Sequence, residues 1–268
     1  MPESFPAPDL AALAQALGPL APAFDIRWLE DCDSTNSVLL EMPPEDDGKV
    51  HVLAATRQAA GRGRRGRQWL AWPGGSLTFS VLWHFVPASS APAGLSLAVG
   101  LALVRALEKL GVAAVALKWP NDVLVHGAKL AGVLVELLPG RRAAPAAVIG
   151  IGLNLRLPAN AIIPGQAGGA TDLVREMGEP PAREHLLAAI LTELHPMLAT
   201  YERAGFGLLR NAWQKRNAFA NLPVQVNGES ANIAGICLGA DEDGALLVHT
   251  AAGVRRILAG EVSLRLVS

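Results

Sequence analysis

The stretch Gly61-Arg62-Gly63-Arg64-Arg65-Gly66-Arg67-Gln68-Trp69 decides early what this chain cannot be. Its Gly61-x-Gly63-x-x-Gly66 spacing matches a dinucleotide fingerprint, which would commit the chain to a doubly wound parallel sheet. That motif needs a strand before it and a helix opening at its glycines, so that phosphate meets a helix N-terminus. Val50 to Thr56 can be the strand. The glycines, however, lead into Trp69-Leu70-Ala71-Trp72-Pro73-Gly74-Gly75 and then the alternating run Ser76 to Phe85, a turn and a strand. The fingerprint reading fails at that point. Two readings remain for four arginines and three glycines in nine residues. One is a loop closing over a phosphorylated or carboxylated small molecule, with glycine letting the backbone approach and arginine supplying a fork of donors. The other is a solvated or nucleic-acid-binding basic patch.

The rest of the composition weighs against the second. The formal net charge is −1 over 268 residues, so the chain as a whole is not a basic nucleic-acid binder and the arginine cluster is local. The length suits a large domain with a small companion. Cys32 and Cys237 lie far apart without metal-ligand spacing, which predicts a reduced, cytoplasmic setting. Met1 to Pro8 carries Glu3 and three prolines and does not read as a secretory signal. The most apolar segment, Ala93 to Leu107, is interrupted by Ser96 and Arg105. It is shorter than the roughly 18–20 apolar residues of a spanning helix, so a buried amphipathic helix is expected and no membrane partner.

Taken in order, Asp9 to Leu17 has helical spacing and ends before Pro19 and Pro22. Phe24 to Glu30 reads as a strand; the 23 residues before it are too few for a winged-helix module. Asp33-Ser34-Thr35-Asn36 should be the loop and first turn of a short helix, with Ser34 or Thr35 as N-cap. Val50 to Thr56 and Ser76 to Phe85 are strands, Ala93 to Leu110 a helix closed by Gly111, and Val115 to Lys118 a strand. Trp119-Pro120-Asn121-Asp122 is a turn, because Pro120 disfavours helix at Trp119. Val123 to His126 and Lys129 to Leu138 read as a hairpin, and Ala146 to Leu155 as another strand. Short turns between consecutive strands predict an α+β fold, a mainly antiparallel mixed sheet with helices on one face. Pro158 to Gly169 is an irregular loop, Ala182 to Arg203 a helix, and Phe206 to Asn217 a further helix. From Asn221 the texture changes to short strands with turns at Asn227-Gly228 and Asp243-Gly244, a small β-barrel. Residues 1–220 and 221–268 are the expected domains.

Several constellations could carry chemistry. Ser34, Thr35 and Asn36 could simply cap a helix, or could line a pocket for a neutral ligand with amide or urea groups. Lys118-Trp119-Pro120-Asn121-Asp122 could be a structural turn. Alternatively, Lys118 could serve a phosphate, with Asn121 or Asp122 holding the phosphates through Mg²⁺. Lys129 opens an otherwise apolar strand, either as a surface lysine or as a buried one in need of an anion. Gly132 would let a ligand lie against that strand. Asn154, among Ile and Leu, must find a partner in backbone or ligand. The six histidines, residues 51, 84, 126, 185, 195 and 249, show no ligand spacing. Cations, a neutral polar corner and no Ser/His/Asp or Cys/His set suit nucleotidyl transfer, in which a substrate carboxylate attacks an α-phosphate.

Five motifs now stand in order: Asp33-Ser34-Thr35-Asn36, Gly61 to Trp69, Lys118 to Asp122, Lys129-Leu130-Ala131-Gly132, and Gly150-Ile151-Gly152-Leu153-Asn154. Over roughly residues 24–217, with a barrel behind them, the chain resembles the biotin protein ligases in the short form without an N-terminal DNA-binding domain. The resemblance implies a class II aminoacyl-tRNA-synthetase-like catalytic domain followed by a Src-homology-3-like barrel. It implies that biotin and MgATP give biotinyl-5′-adenylate, which a lysine of a biotin carboxyl carrier domain of acetyl-CoA carboxylase or a related carboxylase then attacks. It places Ser34, Thr35, Asn36, Gln58, Arg62, Gly63, Arg64, Trp69, Lys129 and Gly132 at biotin. Arg62, Arg64, Arg67, Lys118, Asn121, Lys129 and Asn154 fall at ATP or adenylate, Lys129 and Arg64 at the chemistry, and Asp122 at the metal. Homodimers through the sheet edge occur in the family as well as monomers. Family members often carry a tryptophan after the Asn154 strand, near the adenine; Pro158 to Pro181 has no aromatic residue, which leaves the adenine cover open. Lipoate- or octanoate-type adenylating ligases are the neighbouring alternative, and a non-catalytic biotin sensor or nucleic-acid binder the distant one.

Overall fold

A computed structural model describes residues 7–72, 74–86, 93–138, 145–159, 161, 169–228, 232–259 and 262–266. Most of the irregular loop expected at Pro158 to Gly169, and residues 1–6 of the N-terminal stretch, lie outside them.

Two sheets organise the molecule. The larger contains β1 (Phe24–Cys32), β2 (Val50–Gln58), β3 (Ser76–His84), β4 (Val115–Lys118), β5 (Asp122–Val125), β6 (Ala128–Leu138) and β7 (Ala146–Asn154), in the order β1-β2-β3-β7-β6-β5-β4. β1 and β2 run parallel, and every other neighbouring pair is antiparallel. The parallel pair arises from its connection, since α2 (Thr35–Glu41) lies between the two strands and carries the chain back across the sheet. The expected hairpin at Gly127 forms, with His126 and Gly127 both at positive φ.

One face of this sheet holds the main core. α1 (Leu10–Leu17), α3 (Leu95–Lys109) and α5 (Arg183–Ala204) pack there against Leu77, Phe79, Val81, Ala147, Ile149 and Ile151. α3 is the apolar segment of the sequence: Leu97, Leu101 and Val104 are buried while Arg105, Glu108 and Lys109 reach water. On the opposite face, α2 covers a smaller cluster of Leu39, Leu53, Leu82, Ala146 and Val148. The helices of the main core thus share one face, and the short α2 is added on the other.

Two short helices, α4 (Leu173–Met177) and α6 (Arg210–Gln214), complete the α elements. α4 lies in the stretch for which no element was expected; Asp172 caps it by accepting from the Arg175 N–H at 2.9 Å. α6 is shorter than the helix read over Phe206 to Asn217. The second sheet is β11-β10-β9-β8-β12, built from β8 (Pro223–Gly228), β9 (Asn232–Ala240), β10 (Leu246–Thr250), β11 (Gly253–Ile257) and β12 (Val262–Leu266). It is joined to the large sheet by buried bonds: Trp119 Nε1 donates to the Gly244 carbonyl at 3.0 Å.

Candidate active site

The site lies on the α2 side of the large sheet, where its strands carry small residues. Alternation puts Ser76, Thr78 and Ser80 of β3 on this side and Leu77, Phe79 and Val81 on the core side. On β7 it brings Gly150, Gly152 and Asn154 to the same side. Register then sets one row across the sheet: Ala55, Thr78, Gly152, Gly132 and Asp122 are successive cross-strand partners. The row is a slot floored by backbone. Trp69 closes it from above, so near that a Cβ on Gly152 would collide with the indole and one on Gly132 would come within 3.3 Å of it.

Lys129 reaches this slot through a defect in the ladder. Residues 129 and 132 are three apart and in a regular strand would point to opposite faces. The β5–β6 register shifts between Val123 and Leu124, so that Leu124 pairs with Lys129 and Val123 with Ala131, leaving Leu130 unpaired. This bulge turns Leu130 into the core and Lys129 toward Gly132, the usual way a bulge re-aims a side chain. The ammonium sits 2.6 Å from Asp122 Oδ1 and 5.6 Å from the centre of the Trp69 ring. Only 14% of the Lys129 side chain is exposed. A cation with so little water needs compensation, and Asp122 provides it.

Asp122 has a second cation, Lys118 Nζ at 3.8 Å. Burial pushes the Lys118 ammonium below the ordinary lysine value of 10.5, while Asp122 pulls the other way. Asn154, expected at ligand or backbone, bonds to backbone: Nδ2 donates to the Lys129 carbonyl at 3.3 Å and to the Thr171 carbonyl at 3.0 Å. It holds the start of β6 in place.

The glycine-arginine stretch forms a small hairpin. Trp69 N–H donates to Gly61, Gly63 N–H donates to Arg67, and Arg62 and Gln68 form a bridge. At its tip Arg65 and Gly66 both have positive φ, as the tightest hairpin turns require. Arg62, Arg64 and Arg67 face the cavity side. Arg62 Nη2 lies 2.7 Å from Glu136 Oε1, and Arg64 Nη1 donates to Asn121 Oδ1 at 3.2 Å. Arg64 Nη2 also donates to the Ala259 carbonyl, just past the end of β11, at 3.1 Å.

The neutral corner is formed by α2. Ser34 is its N-cap, and Thr35 and Asn36, each 3% exposed, occupy the first turn. Gln58 Oε1 accepts from the Thr35 N–H at 2.8 Å. Asn36 Nδ2 donates to Glu136 Oε2 at 2.9 Å, and its Oδ1 accepts from the Ser80 hydroxyl at 2.5 Å. Every residue expected at the site lines this one cavity except Lys118, which stands behind Asp122. Sequence reasoning gave no role to Gly150 and Gly152, which line the cavity, or to Ser80 and Glu136, which bond to Asn36. Two of these had a signal in the period-2 glycines of β7, and Ser80 had one in the period-2 hydroxyls of β3.

Among the lining residues Asp122 is the one carboxylate, and no group of three or more metal-binding side chains occurs among the described residues. A lone carboxylate beside two ammonium groups is no metal cage. It fits Mg²⁺ arriving on phosphates, since that ion commonly takes one or two carboxylates and completes its shell with substrate oxygens and water. The nearby Cys32 thiol is raised to about 11 by burial and by Asp33 and Asp31, so it stays protonated and unreactive at neutral pH.

Fold and site together define a protein with a largely antiparallel sheet whose cavity joins several cations, a neutral polar corner and one carboxylate. Comparison with known proteins gives the family. Residues 28–154 match the biotin/lipoate A/B protein ligase family, and residues 221–265 match the biotin protein ligase C terminal domain. The chain is 35% identical over 263 residues to the bifunctional ligase/repressor BirA of Escherichia coli (strain K12), covering 98% of this chain and 81% of that protein. It is 39% identical over 240 residues to the biotin–[acetyl-CoA-carboxylase] ligase of Paracoccus denitrificans, covering 86% and 96% respectively. The biotin protein ligase from Aquifex aeolicus in complex with biotin and ATP superposes with a TM-score of 0.77 at 31% identity, covering 91% of this chain and 99% of that one. The chain belongs to the biotin protein ligase family.

Proposed function

We propose that this chain is the ATP-dependent, AMP-forming ligase that attaches biotin to a lysine of a biotin carboxyl carrier domain, that of acetyl-CoA carboxylase or a related carboxylase. The observation that carries the reading is the bulged Lys129, held beside a glycine-floored slot under Trp69. In the first step a biotin carboxylate oxygen bonds to the α-phosphorus of ATP, the bond from that phosphorus to the bridging oxygen breaks, and pyrophosphate leaves. In the second, the acceptor lysine nitrogen bonds to the carbonyl carbon of the mixed anhydride, AMP leaves and the amine gives up a proton. The protein's contribution is position and charge. The neutral corner of Ser34, Thr35, Asn36 and Gln58 takes the ureido end, and the cavity beside Trp69 and Lys129 takes the chain. Lys129 meets both the carboxylate and the α-phosphoryl oxygens, exchanging Asp122 for them. Arg62, Gly63 and Arg64 close over the adenylate, and Arg67, Lys118, Asn121 and Asn154 complete the nucleotide side. Asp122 would be the residue to hold Mg²⁺ arriving with ATP, and the ion would supply neutralisation of triphosphate charge.

We place the domain boundary at 220/221 and the protein in the cytoplasm. No helix among the described residues is long and apolar enough to cross a membrane. The test is ATP–pyrophosphate exchange with purified protein. Exchange that depends on biotin supports the reading; exchange with lipoate or octanoate but not biotin replaces it with an acyl ligase.

A further inference from the structure

The two-step ligase reaction assigns no role to Glu136. It is a carboxylate in an apolar strand, two positions beyond Leu134, where the cavity-lining part of β6 ends. Each of its oxygens meets a different functional element. Oε1 takes the Arg62 guanidinium of the hairpin at 2.7 Å, and Oε2 takes the Asn36 amide of the neutral corner at 2.9 Å. Asn36 is in turn fixed from its other end by Ser80, which is fully buried, and its carbonyl lies so close to Gly150 that a Cβ there would collide with it.

We propose that Glu136 is a positioning residue for the ligase reaction, coupling hairpin closure to the orientation of the Asn36 amide. This deepens the proposed function and rests on it. The logic is one of donors and acceptors. Both partners offer N–H groups, so both carboxylate oxygens must accept. With Glu136 accepting at Nδ2 and Ser80 donating to Oδ1, the Asn36 amide has one orientation, and the pocket presents one pattern to a urea-like ring. The same carboxylate holds the first arginine of the hairpin. A pocket that has lost its Asn36 orientation therefore also loses its grip on the lid. Stability is not the point of the arrangement, because the Arg62 side chain is 44% exposed and pairs of that kind contribute little to folding.

Glu136→Gln tests this at nearly constant shape. An amide at 136 has one oxygen for two N–H partners, so neither Arg62 nor Asn36 keeps a full-time acceptor and both contacts weaken. The expected result is a rise of about tenfold in the biotin KM, together with faster escape of free adenylate, at unchanged ATP KM and unchanged melting temperature. Normal biotin KM overturns the proposal. So does an equal rise in both KM values or a lowered melting temperature, either of which marks a merely structural role. A change in biotin KM without a change in adenylate escape also overturns it, since the two are then uncoupled. Wild-type protein run alongside tests the ligase reading separately. If it shows no biotin-dependent exchange, that reading falls first.

Discussion

The two faces of the large sheet are made from the same strands and do opposite work. On the core side, the side chains of Ile149 and Ile151 of β7 and Val81 and Phe79 of β3 are buried in the main core with α3 and α5. On the α2 side, the intervening residues are Gly150, Gly152, Thr78 and Ser80, and a slot remains. A change of one position in the strand moves a side chain from one role to the other. Stability and binding here are separated by the pleat and not by distance.

The comparison can be broken by substitutions on the two faces. Ile149→Ala, on the core face, is expected to remove about 2–5 kcal/mol of stability, read as a lower midpoint in chemical denaturation, with exchange activity per folded molecule unchanged. Lys129→Ala should do the reverse. Its melting temperature stays near wild type while adenylate formation falls about a hundredfold to a thousandfold, the range for losing one charge-stabilising group. Near-normal exchange would remove Lys129 from the centre of the chemistry. Gly152→Ala puts a methyl where Trp69 lies, so we expect a biotin KM raised by about tenfold, a ligand misplaced by roughly 1 Å being enough for such losses. If its denaturation midpoint falls as far as that of Ile149→Ala, the two faces are not separate in the way described.

The smallest expected effect is a pH dependence. Burial depresses the Lys118 pKa below 10.5, so its charge is present below the depressed value and lost as pH rises through it. The ATP KM should therefore climb on the alkaline side sooner than an ordinary lysine would cause, and Lys118→Arg should abolish that limb, because a guanidinium stays charged. The sign for folding is opposite. The unfolded chain holds this proton more tightly, so the contribution of Lys118 to stability grows as pH rises between the two pKa values. A flat ATP KM over the alkaline range would show that Lys118 does not meet phosphate.

Much of this was legible in the chain itself. The period-2 run from Ser76, the Asp33-Ser34-Thr35-Asn36 cap and the Asn227-Gly228 turn report local backbone preferences, and local preferences are written residue by residue. Lys129 was legible as a functional candidate because a charge opening an apolar strand demands a partner. Its direction was not. In a regular strand Lys129 and Gly132 belong to opposite faces, and only the bulge at Leu130 brings them together. Glu136 was silent for a different reason: its two partners lie 74 and 100 residues away, and nothing near it in the chain refers to them.

By itself, then, the sequence determined most of the elements, the mainly antiparallel character of the sheet, and the candidate side chains that gather around one cavity, because these depend on periodicity, turn chemistry and functional groups. Tertiary structure alone decided the parallel pairing of β1 with β2 and the adjacency of β3 and β7. It also decided the side from which Lys129 enters and the link from Arg64 to the Ala259 carbonyl. Those depend on register and on contacts between distant segments, which a free energy summed over the whole fold selects and no local run of residues encodes.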